Sequence, residues 1–125
     1  RKKYFYDELH FDSSWELAYY IYLKDNNYTF TFHPKLKFIY TFEEKEHYYF
    51  PDFIVNNEIV EIKNKSLYNK MNIPNTIDNA KYNCMIENHV KILLDDDIKQ
   101  YLLYVSTNYG KTFLQKCRNK KTNSS

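Results

Sequence analysis

The sequence predicts an α/β fold, a mixed β-sheet of about five strands flanked by helices. Three observations carry that prediction. Trp15, Ala18, Tyr19 and Tyr22 recur at i, i+3, i+4 and i+7, the spacing of one helix face. From Tyr28 the period drops to two, in Tyr28-Thr29-Phe30-Thr31-Phe32 and the segments after it. A helix-like stretch over 75–88 then separates two apolar runs, 59–63 and 90–94, as a crossover between parallel strands would.

The elements follow in order. Residues 1–10 mix basic and aromatic side chains without a clear period. Ser13 and Glu16 spell a capping box, and Phe11 can staple it, so a helix is expected over Ser14–Asp25, ended by Asn26-Asn27. Strands are expected over 28–32, 36–42 and 47–55, broken by His33-Pro34, by the polar turn 43–46 and, within the third, at Pro51. Asn56-Asn57 makes a short turn into a fourth strand, 59–63. Residues 64–74 are polar and end near Pro74, which reads as a loop. The helix over 75–88 places Ile77, Ala80, Lys81 and Cys84 on one side and leads into the fifth strand, 90–94. Asp95-Asp96-Asp97 caps a third helix over 98–109, which Gly110 ends, and a short helix fits 111–117. One domain over 1–117 is expected, with 118–125 a basic, polar, disordered tail.

Composition limits the function without naming it. At 125 residues with 43% hydrophobic and 19% aromatic content, the chain can build a core. Charged residues at 27% and a net charge of +2 argue against disorder. No apolar run reaches the ~20 residues of a membrane span, so no membrane partner is expected. Two cysteines, Cys84 and Cys117, cannot make a disulfide framework or a cysteine zinc site. A reducing, intracellular setting follows: the cytoplasm or a host cell, or the nucleus for a eukaryotic or viral chain. A single glycine, Gly110, excludes Gly-rich phosphate loops. The chain opens on Arg1, which reads as a piece of a longer protein.

The chemistry concentrates in residues 49–63. If Asn56-Asn57 forms a two-residue hairpin loop, Val55 faces Glu58, Ile54 faces Ile59, Phe53 faces Val60 and Asp52 faces Glu61. Lys63, two residues beyond Glu61, shares its face. Opposed carboxylates repel. A hard divalent cation relieves this, since Mg²⁺ takes one or two carboxylates together with phosphate and water. The alternative is that Lys63 alone neutralises the pair.

Pro51-Asp52 followed by Glu61-Ile62-Lys63 resembles the signature of the PD-(D/E)xK nuclease superfamily, the restriction-endonuclease-like fold. The expected element order resembles its α-β-β-β-α-β core, over roughly residues 11–105. The strings Phe11-Asp12-Ser13-Ser14-Trp15-Glu16 and Tyr49-Phe50-Pro51-Asp52-Phe53 look like phage and mobile-element members, including homing-type and transposase-associated nucleases. The resemblance implies a Mg²⁺-dependent DNA endonuclease, with Mn²⁺ able to substitute. It implies that Asp52 and Glu61 ligate the metal with the Ile62 carbonyl, and that Lys63 orients or deprotonates the attacking water. A further acid on the first helix is frequent in such families, and Glu16 is the candidate, its other reading being the helix cap.

Other residues carry weaker signals. Lys35, Lys37 and Lys65 are candidate phosphate contacts, as is Lys70. Lys81 reads as a solvated helix lysine or as a residue near the scissile phosphate. His10, His33, His47 and His89 have no ligand spacing. The small net charge suggests that DNA affinity is shared with a second subunit or a missing recognition domain. The rival readings are a non-catalytic nucleic-acid-binding module of the same fold, a protein-interaction domain, and a branched-DNA resolvase or exonuclease.

Overall fold

The computed structural model describes residues 3–118. Among them the elements run β1 (Tyr4–Tyr6), β2 (Leu9–Phe11), α1 (Ser14–Asp25), β3 (Phe30–Phe32), β4 (Phe38–Phe42), β5 (Lys45–Tyr49), β6 (Phe53–Val55), β7 (Glu58–Ile62), α2 (Lys65–Met71), α3 (Ile77–Glu87), β8 (Lys91–Leu93), α4 (Asp95–Tyr109) and α5 (Phe113–Lys116). They fall into two compact units, one within residues 3–28 and 96–118, the other of residues 29–95. The expected tail beyond Arg118 lies outside the described residues.

In the first unit, α1 occupies the expected span and Ser13 Oγ accepts from Glu16 N at 3.2 Å, as an N-cap should. The buried face is wider than one stripe. Ala18 and Tyr19 are buried, Trp15 and Tyr22 only partly, while Leu17, Tyr20, Ile21 and Leu23 are also buried. Tyr101 and Tyr104 of α4 meet α1 edge-on: Tyr101 contacts Tyr19 and Tyr22, and Tyr104 contacts Tyr22. The tyrosine-rich helix is therefore core, with edge-to-face contacts typical of aromatic packing. Residues 4–11, most of them in the stretch where the sequence shows no clear period, form a hairpin with Tyr4 opposite Phe11. Its inward rings, Tyr6 and Phe11, pack on Tyr20.

Tyr20 also donates to Asp7 Oδ2 at 2.7 Å, and Lys24 pairs with the same carboxylate. Burial, then the hydrogen bond to Asp7, pushes the Tyr20 hydroxyl up to about 12. Below pH ~10 the phenol is protonated in both folded and unfolded chains, so its contribution is fully present. As pH rises from there towards 12, the unfolded chain loses the proton first and stability falls. The expected result is a falling urea midpoint across that window, flattened in Tyr20→Phe.

In the second unit the sheet is smaller than predicted. One four-stranded sheet has the order β3-β6-β7-β8, and β4-β5 stands apart as its own hairpin. The expectation of one sheet of about five strands is thus corrected. Two breaks explain it. His33 takes a left-handed φ of 52° just before Pro34, ending β3. Pro51, buried and without an N–H, prevents β5 from running on into β6. The predicted crossover is present: β7 and β8 pair in parallel, Glu61 opposite Ile92, on either side of α3.

The segment 64–74 is not a loop throughout. Asn64 Oδ1 accepts from Leu67 N at 2.8 Å and opens α2. Asp95 Oδ1 accepts from Lys65 N at 2.7 Å, satisfying another N-terminal donor. Polar composition hid this helix, which buries only Met71 fully. Tyr68 of α2 meets Tyr82 of α3 edge-on at 5.7 Å. Nor do the three aspartates precede α4: they form its first turn.

Three hairpins turn on two residues with φ positive at both, Asp7-Glu8, Glu43-Glu44 and Asn56-Asn57. That is the backbone of a type I′ turn, normally given to Asn and Gly. Asn suits it, but Glu44 at φ 65° pays the steric cost of a Cβ in the left-handed region. Glu44→Gly is expected to stabilise by about 1 kcal/mol, raising the thermal midpoint by a few degrees. An unchanged or lower midpoint would contradict this turn geometry.

Candidate active site

The Asn56-Asn57 turn sets the register of the site. Val55 pairs with Glu58, Ile54 with Ile59 and Phe53 with Val60, as predicted. Beyond Phe53 the paired ladder ends, so Asp52 lies in a bend next to Glu61 rather than as its strand partner. The half-buried Asp52 reaches across the hairpin, its Oδ2 accepting from Ile62 N at 3.4 Å. Its backbone carbonyl accepts from His33 N at 2.8 Å, anchoring the bend to the end of β3.

Glu61 is the most buried acid of this unit, at 4% exposure. A buried carboxylate must be hydrogen-bonded or paired. Oε1 accepts from the Tyr49 hydroxyl at 2.7 Å, and Oε2 lies 3.3 Å from Lys63 Nζ. Lys63 extends the sheet by donating its backbone N–H to Leu93 O at 3.0 Å, which holds its side chain on the Glu61 face. The structure thus brings Asp52, Glu61, Ile62 and Lys63 together at one end of β6 and β7.

Two further residues belong here. Tyr49, whose role the sequence reading missed, is wholly buried between Glu61 and a cluster of Met71, Cys84 and Met85. Burial first, then the charge and hydrogen bond of Glu61, and then Asp52, push its hydroxyl far above the usual tyrosine range. The position carried little signal, since Lys45-Glu46-His47-Tyr48-Tyr49 does not alternate apolar with polar. Lys81 is half-buried rather than fully solvated, with Nζ 5.7 Å from the Tyr49 ring centroid. That places an ammonium from α3 beside the side chain that holds Glu61.

The remaining candidates have their own surroundings. Lys65 is exposed at the start of α2. Lys35 and Lys37 precede β4, and Lys37 Nζ lies 4.4 Å from the Tyr48 ring centroid. Glu16 belongs to the first unit, buried in the first turn of α1, where Oε1 accepts from Asp12 N at 3.3 Å. This is the capping role, shifted by one residue from the standard box.

Asp52, Glu61 and the Ile62 carbonyl offer oxygen donors only, the chemistry preferred by a hard divalent ion. Among the described residues, no group of three or more His, Cys, Asp or Glu could hold a metal ion. Two carboxylates with a backbone carbonyl would leave most positions around such an ion to water and phosphate, as Mg²⁺ accepts. No helix among the described residues is long and apolar enough to cross a membrane. No family model matches the chain, and neither a curated protein nor a solved structure does.

Proposed function

We propose that this chain is a Mg²⁺-dependent deoxyribonuclease domain of the PD-(D/E)xK type, cutting DNA phosphodiesters at the Asp52–Glu61–Lys63 site. The observation that carries the reading is a half-buried Asp52 whose Oδ2 accepts from Ile62 N, beside a buried Glu61 whose Oε2 lies 3.3 Å from the Lys63 ammonium. Asp52, Glu61 and the Ile62 carbonyl would hold the metal, with Mn²⁺ able to replace it. Mg²⁺ bound there supplies Lewis acidity and a water of lowered pKa. Lys63 orients that water and offsets charge building on the phosphate. Tyr49 fixes the Glu61 carboxylate through its hydroxyl, so the ligand is positioned before substrate arrives. Lys81 adds positive charge on the α3 side, where it can meet a phosphate oxygen.

A second reading draws on the same contacts. Tyr49 and Lys63 already partner both Glu61 oxygens, as in a retained scaffold that binds nucleic acid without cutting it. Plasmid nicking separates the two. The nuclease reading expects supercoiled DNA to be relaxed or linearised with Mg²⁺ or Mn²⁺ and left intact in EDTA. Salt-sensitive binding with no cleavage under either ion would favour the second.

A further inference from the structure

Strand β5 has two different faces. Its inward Tyr49 is wholly buried and reaches Glu61. Its outward Tyr48 is 45% exposed, and Phe50, next but one along the chain, is 61% exposed. Their ring centroids lie 6.3 Å apart. Across the hairpin, Ile39 pairs with Tyr48 and is 55% exposed. Three large apolar side chains thus share one solvent face, in a chain that buries many other aromatics.

Three features say what covers them. The Lys37 ammonium lies 4.4 Å from the centre of the Tyr48 ring, and Lys35 stands two residues before it. A cation beside exposed aromatic rings suits an anionic partner with flat apolar faces, which is the description of unstacked bases on a phosphate backbone. Phe50 stands two residues before Asp52 in the sequence, so the aromatic face and the carboxylate site belong to one short segment. The acidic residues of this hairpin, Glu43, Glu44 and Glu46, lie at or beside its turn, away from Lys37 and Phe50. The positive charge of Lys35 and Lys37 therefore favours a polyanion on the face that carries Tyr48.

We propose that Tyr48 and Phe50 form a base-stacking platform for unpaired DNA, so that the substrate is single-stranded or carries an unpaired segment beside the phosphate to be cut. This deepens the nuclease reading and, for the position of the cut, rests on it. The platform itself is testable alone, by fluorescence anisotropy in Ca²⁺. The probes are a labelled oligo-dT and a duplex of the same length. The wild-type chain is expected to bind the single strand more tightly. Tyr48→Ala with Phe50→Ala should weaken that binding about tenfold or more, with duplex binding and melting temperature kept. Lys37→Ala should lower the salt dependence, which the aromatic double variant leaves unchanged.

Equal single-strand affinity in the wild type and the double variant would overturn the platform. So would a wild type without preference for single strands, or one whose self-association, rather than DNA binding, is lost in the variant. Cleavage measured in parallel keeps the two claims apart. Cleavage by the wild type with no effect of the aromatic changes on binding leaves the nuclease and removes the platform. Aromatic-dependent binding without cleavage does the reverse.

Discussion

Glu61→Gln or Lys63→Met is expected to lower Mg²⁺-dependent nicking by about 100-fold or more. Loss of a metal ligand removes both Lewis acidity and the activated water. Loss of the lysine removes the group that orients that water, a contribution of roughly 10²–10⁴ for positioned acid–base groups. Both replacements keep most of the side-chain volume, and the surrounding core holds them in place. Circular dichroism should show the fold kept, with a lower melting midpoint in Lys63→Met, which leaves the buried Glu61 carboxylate without its ion pair. Nicking that survives both changes at full rate would remove these residues from the chemistry.

The largest expected effect on stability is at Tyr49. The ring is wholly buried against Met71, Cys84 and Met85, and truncating a buried aromatic to Ala typically costs about 3–5 kcal/mol. Tyr49→Phe keeps the ring but deletes the donor to Glu61 Oε1. Leaving a buried acceptor without that donor costs about 1–3 kcal/mol. Urea unfolding of both variants measures the difference. If Tyr49→Phe unfolds like the wild type, the hydroxyl does not hold Glu61, and the positioning role given to it fails.

Much of this site was legible because it depends on local rules. Asn56-Asn57 tolerates positive φ, so a two-residue turn could be read directly and the register of Phe53, Ile54 and Val55 followed from it. Alternation then placed Glu61 and Lys63 on one face. The helix over Ser14–Asp25 carried its own cap in Ser13, and the apolar runs on either side of α3 implied the parallel pair β7–β8. What escaped depends on context. Asp52 was expected opposite Glu61, but the ladder ends one residue earlier, and only its side chain crosses to Ile62. The division of the sheet follows from Pro51 and His33-Pro34, breaks that could be read in the sequence, but a break does not say which strands then pair. The β1–β2 hairpin turns on Asp7-Glu8, a pair that does not announce a type I′ turn. Helix α2 is held by Asn64 and by Asp95, thirty residues away in sequence. Tyr49 joins Glu61 only through the packing of β5, which spacing does not reveal.

The central claim is that Asp52 and Glu61 hold a divalent cation. Anomalous diffraction from crystals soaked in Mn²⁺ tests it most directly. The account predicts one manganese peak within coordination distance of both carboxylates, lost in Glu61→Gln. A crystal with no such peak, its Glu61 still held by Tyr49 and Lys63, would contradict it.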